Sequence, residues 1–271
     1  MRLTRDKSRR VGCIFGLQNP IIHLLTFFLM MKRRNKSMWA GLLVLAVVTL
    51  SAFSGGPTAA ERETRSVNAF TEVSLGGSSH VVLRQGSPQS VVVEASAADL
   101  ADFETVVKDR QLRLGFHQEA NGLFTSKNHG PVMVYLTAPD LTALRVGGSG
   151  RLEVMGPLRA TALMLAVAGS GDLQVPELTA TSLETALAGS GNVLVSGNCP
   201  RHEIRLSGSG NVKAQALKTE ISAVRLSGSG SAHVNASKSM EARLSGSGNV
   251  FVAGGGLLNS AVHGSGRVIK E

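Results

Sequence analysis

Val224-Arg225-Leu226-Ser227-Gly228-Ser229-Gly230-Ser231-Ala232-His233-Val234 decides the fold of this 271-residue chain, because its central tripeptide and the register around it recur seven times. Gly-Ser-Gly begins at Gly148, Gly169, Gly189, Gly208, Gly228, Gly246 and Gly264, at spacings of 21, 20, 19, 20, 18 and 18 residues. Two residues before each first glycine stands an apolar side chain: Val146, Val167, Leu187, Leu206, Leu226, Leu244 and Val262. Four residues after it stand Leu152, Leu173, Val193, Val212, Ala232, Val250 and Val268. The two columns are always six residues apart. Side chains alternate faces along an extended chain, so an even separation puts both columns on one side. Other positions of the same parity agree, among them Leu144, Leu165, Ile204 and Val224 before the glycine and Val154, Val175, Val195, Val234 and Val252 after it. The residues directly after the tripeptide are polar: Arg151, Asp172, Asn192, Asn211, Ser231, Asn249 and Arg267 are those of an outer face.

A period of two is the signature of strand and not of helix, with a bend or bulge at the tripeptide, where glycine permits φ > 0. Rungs of 18 to 21 residues predict an all-β fold, a single-stranded β-helix or solenoid, with each turn stacked on the last at ~4.8 Å. The few inward side chains of one rung do not offset the entropy of ordering it, so no rung stands alone. Ser149, Ser170, Ser190, Ser209, Ser229, Ser247 and Ser265 then form a ladder along the solenoid, and the glycines mark a place with no room for larger inward side chains.

The register appears once earlier in weaker form, at Val73, Leu75, Gly77, Ser79, Val81 and Leu83. Strand-like segments follow at Val91 to Ala95, Leu112 to Phe116 and Val132 to Leu136, with a short helix expected around Ala98 to Val107 and an exposed loop over 120–130. Phe70, Phe103, Phe116, Phe124 and Tyr135 fall in this part. The division expected is therefore residues 61–140 as a β-rich N-terminal part or first rungs, continuous with a repeat solenoid over 141–271.

The stretch from Phe70 through Leu83, then Asp109-Arg110-Gln111-Leu112, then Thr137-Ala138-Pro139-Asp140-Leu141 leading into Gly148-Ser149-Gly150, resembles the bacterial family called putative auto-transporter adhesin, head GIN domain. The resemblance covers about residues 66–271 and rests on the order of the segments as well as on the tripeptide. It implies an exported β-helical domain of the cell envelope with an adhesive role, and it supplies no catalytic residues. Self-translocation requires a membrane barrel of ~8 or more strands. The chain stops at Glu271, directly after its last rung, so self-translocation is not expected. Lys270 stands in an otherwise apolar inward column, where a charge discourages further strand addition.

The first sixty residues carry an address. Lys32, Arg33, Arg34 and Lys36 precede an apolar run from Trp39 to Phe53, and Pro57-Thr58-Ala59-Ala60 offers small residues for cleavage. Residues 30–60 read as a secretory signal, because the run is short of the ~20 residues a membrane span requires. Residues 1–29 read as a leader that is not translated, since Met30, Met31 and Met38 each offer a start. The expected location is outside the cytoplasm, in the periplasm, on the outer surface or beyond the cell. No membrane span is expected in the mature chain. Of the two cysteines, Cys13 lies in that leader and Cys199 precedes Pro200 at a corner between repeats, which leaves a bystander thiol and no disulfide.

Composition narrows function. The net charge of +9 is concentrated in residues 1–60, which hold nine Lys/Arg and one acid and leave 19 bases against 18 acids beyond Ala60. A near-neutral body argues against nucleic acid as a partner. Neither Gly-x-Ser-x-Gly nor Gly-x-Gly-x-x-Gly occurs. His80, His117, His129, His202, His233 and His263 share no metal-ligand spacing, so each is expected at the surface or hydrogen-bonded, and neither metal nor cofactor is expected.

What remains is a pair of columns. Glu184, Glu203 and Glu241 lie five residues before the glycine, and Arg205, Arg225 and Arg243 lie three before it. Stacked ~4.8 Å apart, they make either a solvated mixed-charge face or a grip on an anionic glycan or an acidic envelope protein. The reading that follows is a non-enzymatic, exported adhesion or scaffold module that binds glycan or protein through a flat polar ladder. The alternatives are a carbohydrate-active enzyme of the lyase or hydrolase kind on the same fold, and an envelope signalling module.

Overall fold

Buried and exposed residues alternate through nearly every strand of the computed structural model, which describes residues 60–116 and 129–271. The expected leader, the signal, Cys13, His117, Phe124 and all but the last two residues of the loop expected over 120–130 lie outside the described residues.

The N-terminal part contains β1 (Glu61–Thr64), β2 (Glu72–Gly77), β3 (His80–Gln85), β4 (Ser90–Ala95), helix α1 (Ala97–Asp102), β5 (Phe103–Lys108), β6 (Gln111–Phe116) and β7 (Met133–Ala138). Next come β8 (Ala143–Gly148) and β9 (Arg151–Val154), which flank the first tripeptide. Order in space differs from order in sequence here. Strand β2 lies between β6 and β8, and β3 lies between β7 and β9, all in parallel. Antiparallel strands close this end, β5 against β6, β4 against β7 and β1 against β4.

The helix expected around Ala98 to Val107 is half strand. It stops at Asp102, and Phe103–Lys108 pairs antiparallel with Gln111–Phe116. Two adjacent valines, Val106 and Val107, favour extended chain, and Asp109 and Arg110 at φ 53° and 62° make the two-residue turn that hairpins prefer. Phe103 is buried edge-on against Phe116, with ring centroids 5.3 Å apart. Helix α1 begins at Ser96, whose Oγ accepts the Asp99 N–H at 3.2 Å. Ser96→Ala is expected to cost about 1 kcal/mol, read as a lowered melting temperature.

Beyond β9 the chain runs as β10 (Pro157–Gly169), β11 (Asp172–Gly189), β12 (Asn192–Asn198), β13 (Arg201–Gly208), β14 (Asn211–Lys213), β15 (Leu217–Lys218) and β16 (Ile221–Gly228). It ends with β17 (Ser231–Asn235), β18 (Ser239–Gly246), β19 (Asn249–Ala253), β20 (Leu257–Gly264) and β21 (Arg267–Lys270). These make a solenoid of about six turns. One wall carries the strands before each tripeptide, the other those after it, and every pairing is parallel. A short third wall, unforeseen in the sequence, links them in the earlier turns. There Leu158 pairs with Leu178, Leu178 with Gly197 and Gly197 with Leu217.

The two apolar columns line the interior. Leu152, Leu173, Val193, Val212, Ala232 and Val250 have no exposed surface, and Val146 through Leu244 are at most 2% exposed. In β20, on which no further rung is stacked, Leu258 and Val262 are 38% and 39% exposed. Lys270 pairs with Val252 in the last strand.

The tripeptide turns the corner between the two walls. The carbonyl of Gly208 accepts the N–H groups of Ser229 at 2.9 Å and Gly230 at 3.0 Å, and this double acceptance recurs down the stack. Gly228 has φ 125°, and a Cβ on it would lie 2.3 Å from the Gly208 carbonyl oxygen. A Cβ on Gly230 would lie 2.2 Å from the Gly210 carbonyl oxygen and 2.7 Å from a Leu206 methyl. The first glycine thus supplies the left-handed turn, while the last makes room for backbone and for the inward leucine of the rung below.

Candidate functional site

Register brings the three arginines of the ladder together. Arg205 pairs with Arg225 and Arg225 with Arg243, on β13, β16 and β18. Each points outward, and 51%, 55% and 58% of the respective side chains are exposed. The glutamate column interleaves with them as expected. Glu203 Oε1 holds Arg205 at 3.0 Å and Arg225 at 3.1 Å, Glu184 also holds Arg205, and Glu241 holds Arg243 at 2.6 Å. Exposed pairs of this kind contribute only ~0–1 kcal/mol each. Their effect is to fix the direction of the guanidinium groups.

The face differs from the flat surface anticipated. A groove of about 600 Å³ runs over it from Ala166 to His263. Ala166 and Ala186 occupy the column that holds arginine in the later rungs, and Ala168 and Ala188 the column that holds Ser207, Ser227 and Ser245. Short side chains in two rungs beside long ones in the next three produce the depression. The signal was present in the sequence as alanine at matched offsets from the tripeptide.

The opposite wall carries a polar ladder. Asn211 donates to Asn192 Oδ1 at 3.2 Å, Asn192 donates to Asp172 Oδ1 at 2.9 Å, and Arg151 donates to Asp172 Oδ2 at 3.0 Å. The Asn192 amide, with Arg151 behind it, holds the Asp172 carboxyl below its ordinary range. On the same wall His233 and Phe251 are stacked at 4.4 Å.

Two features of the interior were missed at the sequence level. His202, expected at the surface or hydrogen-bonded, is 1% exposed, with Nε2 at 2.9 Å from Thr185 Oγ1 and Nδ1 buried without a partner. Burial pushes its pKa down to about 3. Thr219 and Ser222 are also buried and share a hydrogen bond of 2.7 Å. Parity could have found two of these, since His202 and Ser222 lie an even number of residues before the glycine. Cys199 is fully buried, with its Sγ 3.1 Å from the Arg201 carbonyl oxygen, and burial raises its pKa. A thiol kept protonated in this way is a poor nucleophile.

Solved structures share this fold. The chain matches the structure of a putative adhesin from Bacteroides fragilis with a TM-score of 0.71 at 20% identity, over 78% of this chain and 97% of that one. A putative lipid-binding protein and a putative adhesin, both from Parabacteroides distasonis, each match with a TM-score of 0.66 at 20% identity, over 80% of this chain and 98% of theirs. At this identity the likeness concerns the fold. No curated protein matches the chain. Among the described residues no helix is long and apolar enough to cross a membrane. The family model for the putative auto-transporter adhesin, head GIN domain, matches residues 69–256, and the chain belongs to that family.

Proposed function

We propose that this protein is an exported, non-enzymatic adhesion or scaffold module of the cell envelope, and that its groove face binds an anionic glycan. The observation that carries this reading is the in-register stack of Arg205, Arg225 and Arg243 on three consecutive rungs beside the groove. A guanidinium fork suits carboxylate and sulfate groups, and these three are aligned by Glu184, Glu203 and Glu241 without being buried by them. Membership of the adhesin family supports a role outside the cytoplasm.

The test is retention of the purified protein on immobilised polygalacturonate, alginate and heparin, with the products sized afterwards. The expected result is retention without depolymerisation, lost by at least tenfold when Arg205, Arg225 and Arg243 are all replaced by alanine. Binding unchanged in that variant would remove the arginine ladder from the account. Shortened polysaccharide would favour the enzyme reading, and cell fractionation checks the address.

A further inference from the structure

Resting on the glycan reading above, we infer that the ligand is a linear anionic polysaccharide lying along the solenoid axis, across the strands, with its charged groups in step with successive rungs. The six residues Arg-Leu-Ser-Gly-Ser-Gly occur three times in succession, at 205–210, 225–230 and 243–248. Parallel pairing places like over like, Ser207 with Ser227 and Ser227 with Ser245, in the same register as the arginines. The leucine points inward and the glycines turn the corner. Arginine and both serines of each copy are left exposed.

Each of these rungs therefore offers one guanidinium and two hydroxyls, repeated at ~4.8 Å. The guanidinium donates in a fork to carboxylate or sulfate, and a serine hydroxyl can both donate to and accept from a sugar hydroxyl. Only a ligand that repeats at this interval, or at a multiple of it, can use all three copies. An extended polysaccharide advances per sugar by a distance of this size. An extended peptide laid across the strands advances ~3.3 Å per residue and falls out of step. The groove has the matching direction, since it crosses the rungs from Ala166 to His263 instead of running along one strand.

The glutamate column has a gap in the middle of this ladder. Ala223 stands between Glu203 and Glu241 in the paired register, so Arg225 has only a share of Glu203, which Arg205 also uses. Arg225 is accordingly the guanidinium whose charge is least offset by its neighbours, and it is the central one of three.

The experiment uses the purified full chain and two ladders of defined length, oligogalacturonates and heparin oligosaccharides, each from disaccharide to decasaccharide, measured by calorimetry. Affinity is expected to rise with length by roughly tenfold or more until the three copies are spanned and then to level off. Arg225→Ala is expected to lower affinity for the long oligomers by roughly tenfold while changing the disaccharide by less than threefold. Arg225→Gln should behave alike, and an unchanged melting temperature in both variants confirms folding. Binding that does not grow with length, or that falls equally for short and long oligomers, overturns the axial alignment and leaves the glycan reading standing. Polymer retention without binding of either ladder has the same consequence, whereas retention of no polysaccharide overturns both.

Discussion

Gly228→Ala is expected to destabilise the protein by about 3–5 kcal/mol. Alanine at φ 125° sits where L-residues are strained, and its Cβ meets the Gly208 carbonyl oxygen at 2.3 Å. That oxygen cannot retreat, because it accepts two N–H groups from the rung above. Gly230→Ala is expected to cost a similar amount for a different reason, since its Cβ meets the Gly210 carbonyl oxygen at 2.2 Å and the Leu206 side chain at 2.7 Å. The exposed residue between them is the control. Ser229→Ala is expected to stay within about 0.5 kcal/mol of the parent. Urea titrations of the three variants measure this, and a Gly228→Ala midpoint equal to that of Ser229→Ala would contradict the stacked-corner account.

His202 is expected to make the protein acid-sensitive well above the carboxylate range. Its pKa falls from the ordinary 6.5 to about 3 on folding, so between those values the unfolded chain binds a proton that the folded chain refuses. Stability contributed by the neutral ring is fully present above pH 6.5 and is lost as pH falls towards 3. Between pH 7 and pH 5 the loss is about 2 kcal/mol, at ~1.36 kcal/mol per pH unit, before Asp99 and Asp172 begin to titrate. His202→Leu places an apolar residue in register with Leu183 and is expected to flatten that part of the curve. Urea midpoints taken at pH 7, 6 and 5 decide it: parallel slopes in parent and variant would show that another group controls the response.

The repeat was legible because two constraints act on it together. Stacking demands glycine at the corner, and burial demands apolar residues at even offsets from it, so residues 143–268 carried their own register. Residues 70–138 were legible as strands but not as an arrangement. Nothing in the local pattern of Val73 to Leu83 states that its two neighbours in space come from 111–138 and 143–154, because parallel partners are chosen by long-range packing. The boundary at Asp102 was missed because Ala98 to Val107 has helical composition at its start and β-branched valines only at its end.

The ladder of Arg205, Arg225 and Arg243 was visible as a column, and pairing through Glu203 follows from the adjacent column. The groove and the buried His202 were not seen. The groove depends on comparing one column across rungs, alanine against arginine, whereas the burial of His202 follows from its even offset within its own rung.

The insertion of β2 and β3 between two later pairs of strands sets an order of assembly. A chain emerging N-terminus first cannot complete its earliest rung when that rung appears, since both flanks are still to come, the second of them at Ala143–Val154. The shortest segment that supplies both flanks is therefore some eighty residues long, from Glu72 to Val154. Every turn after it has an edge already complete on which to dock, as each tooth of a zipper meets the one before it.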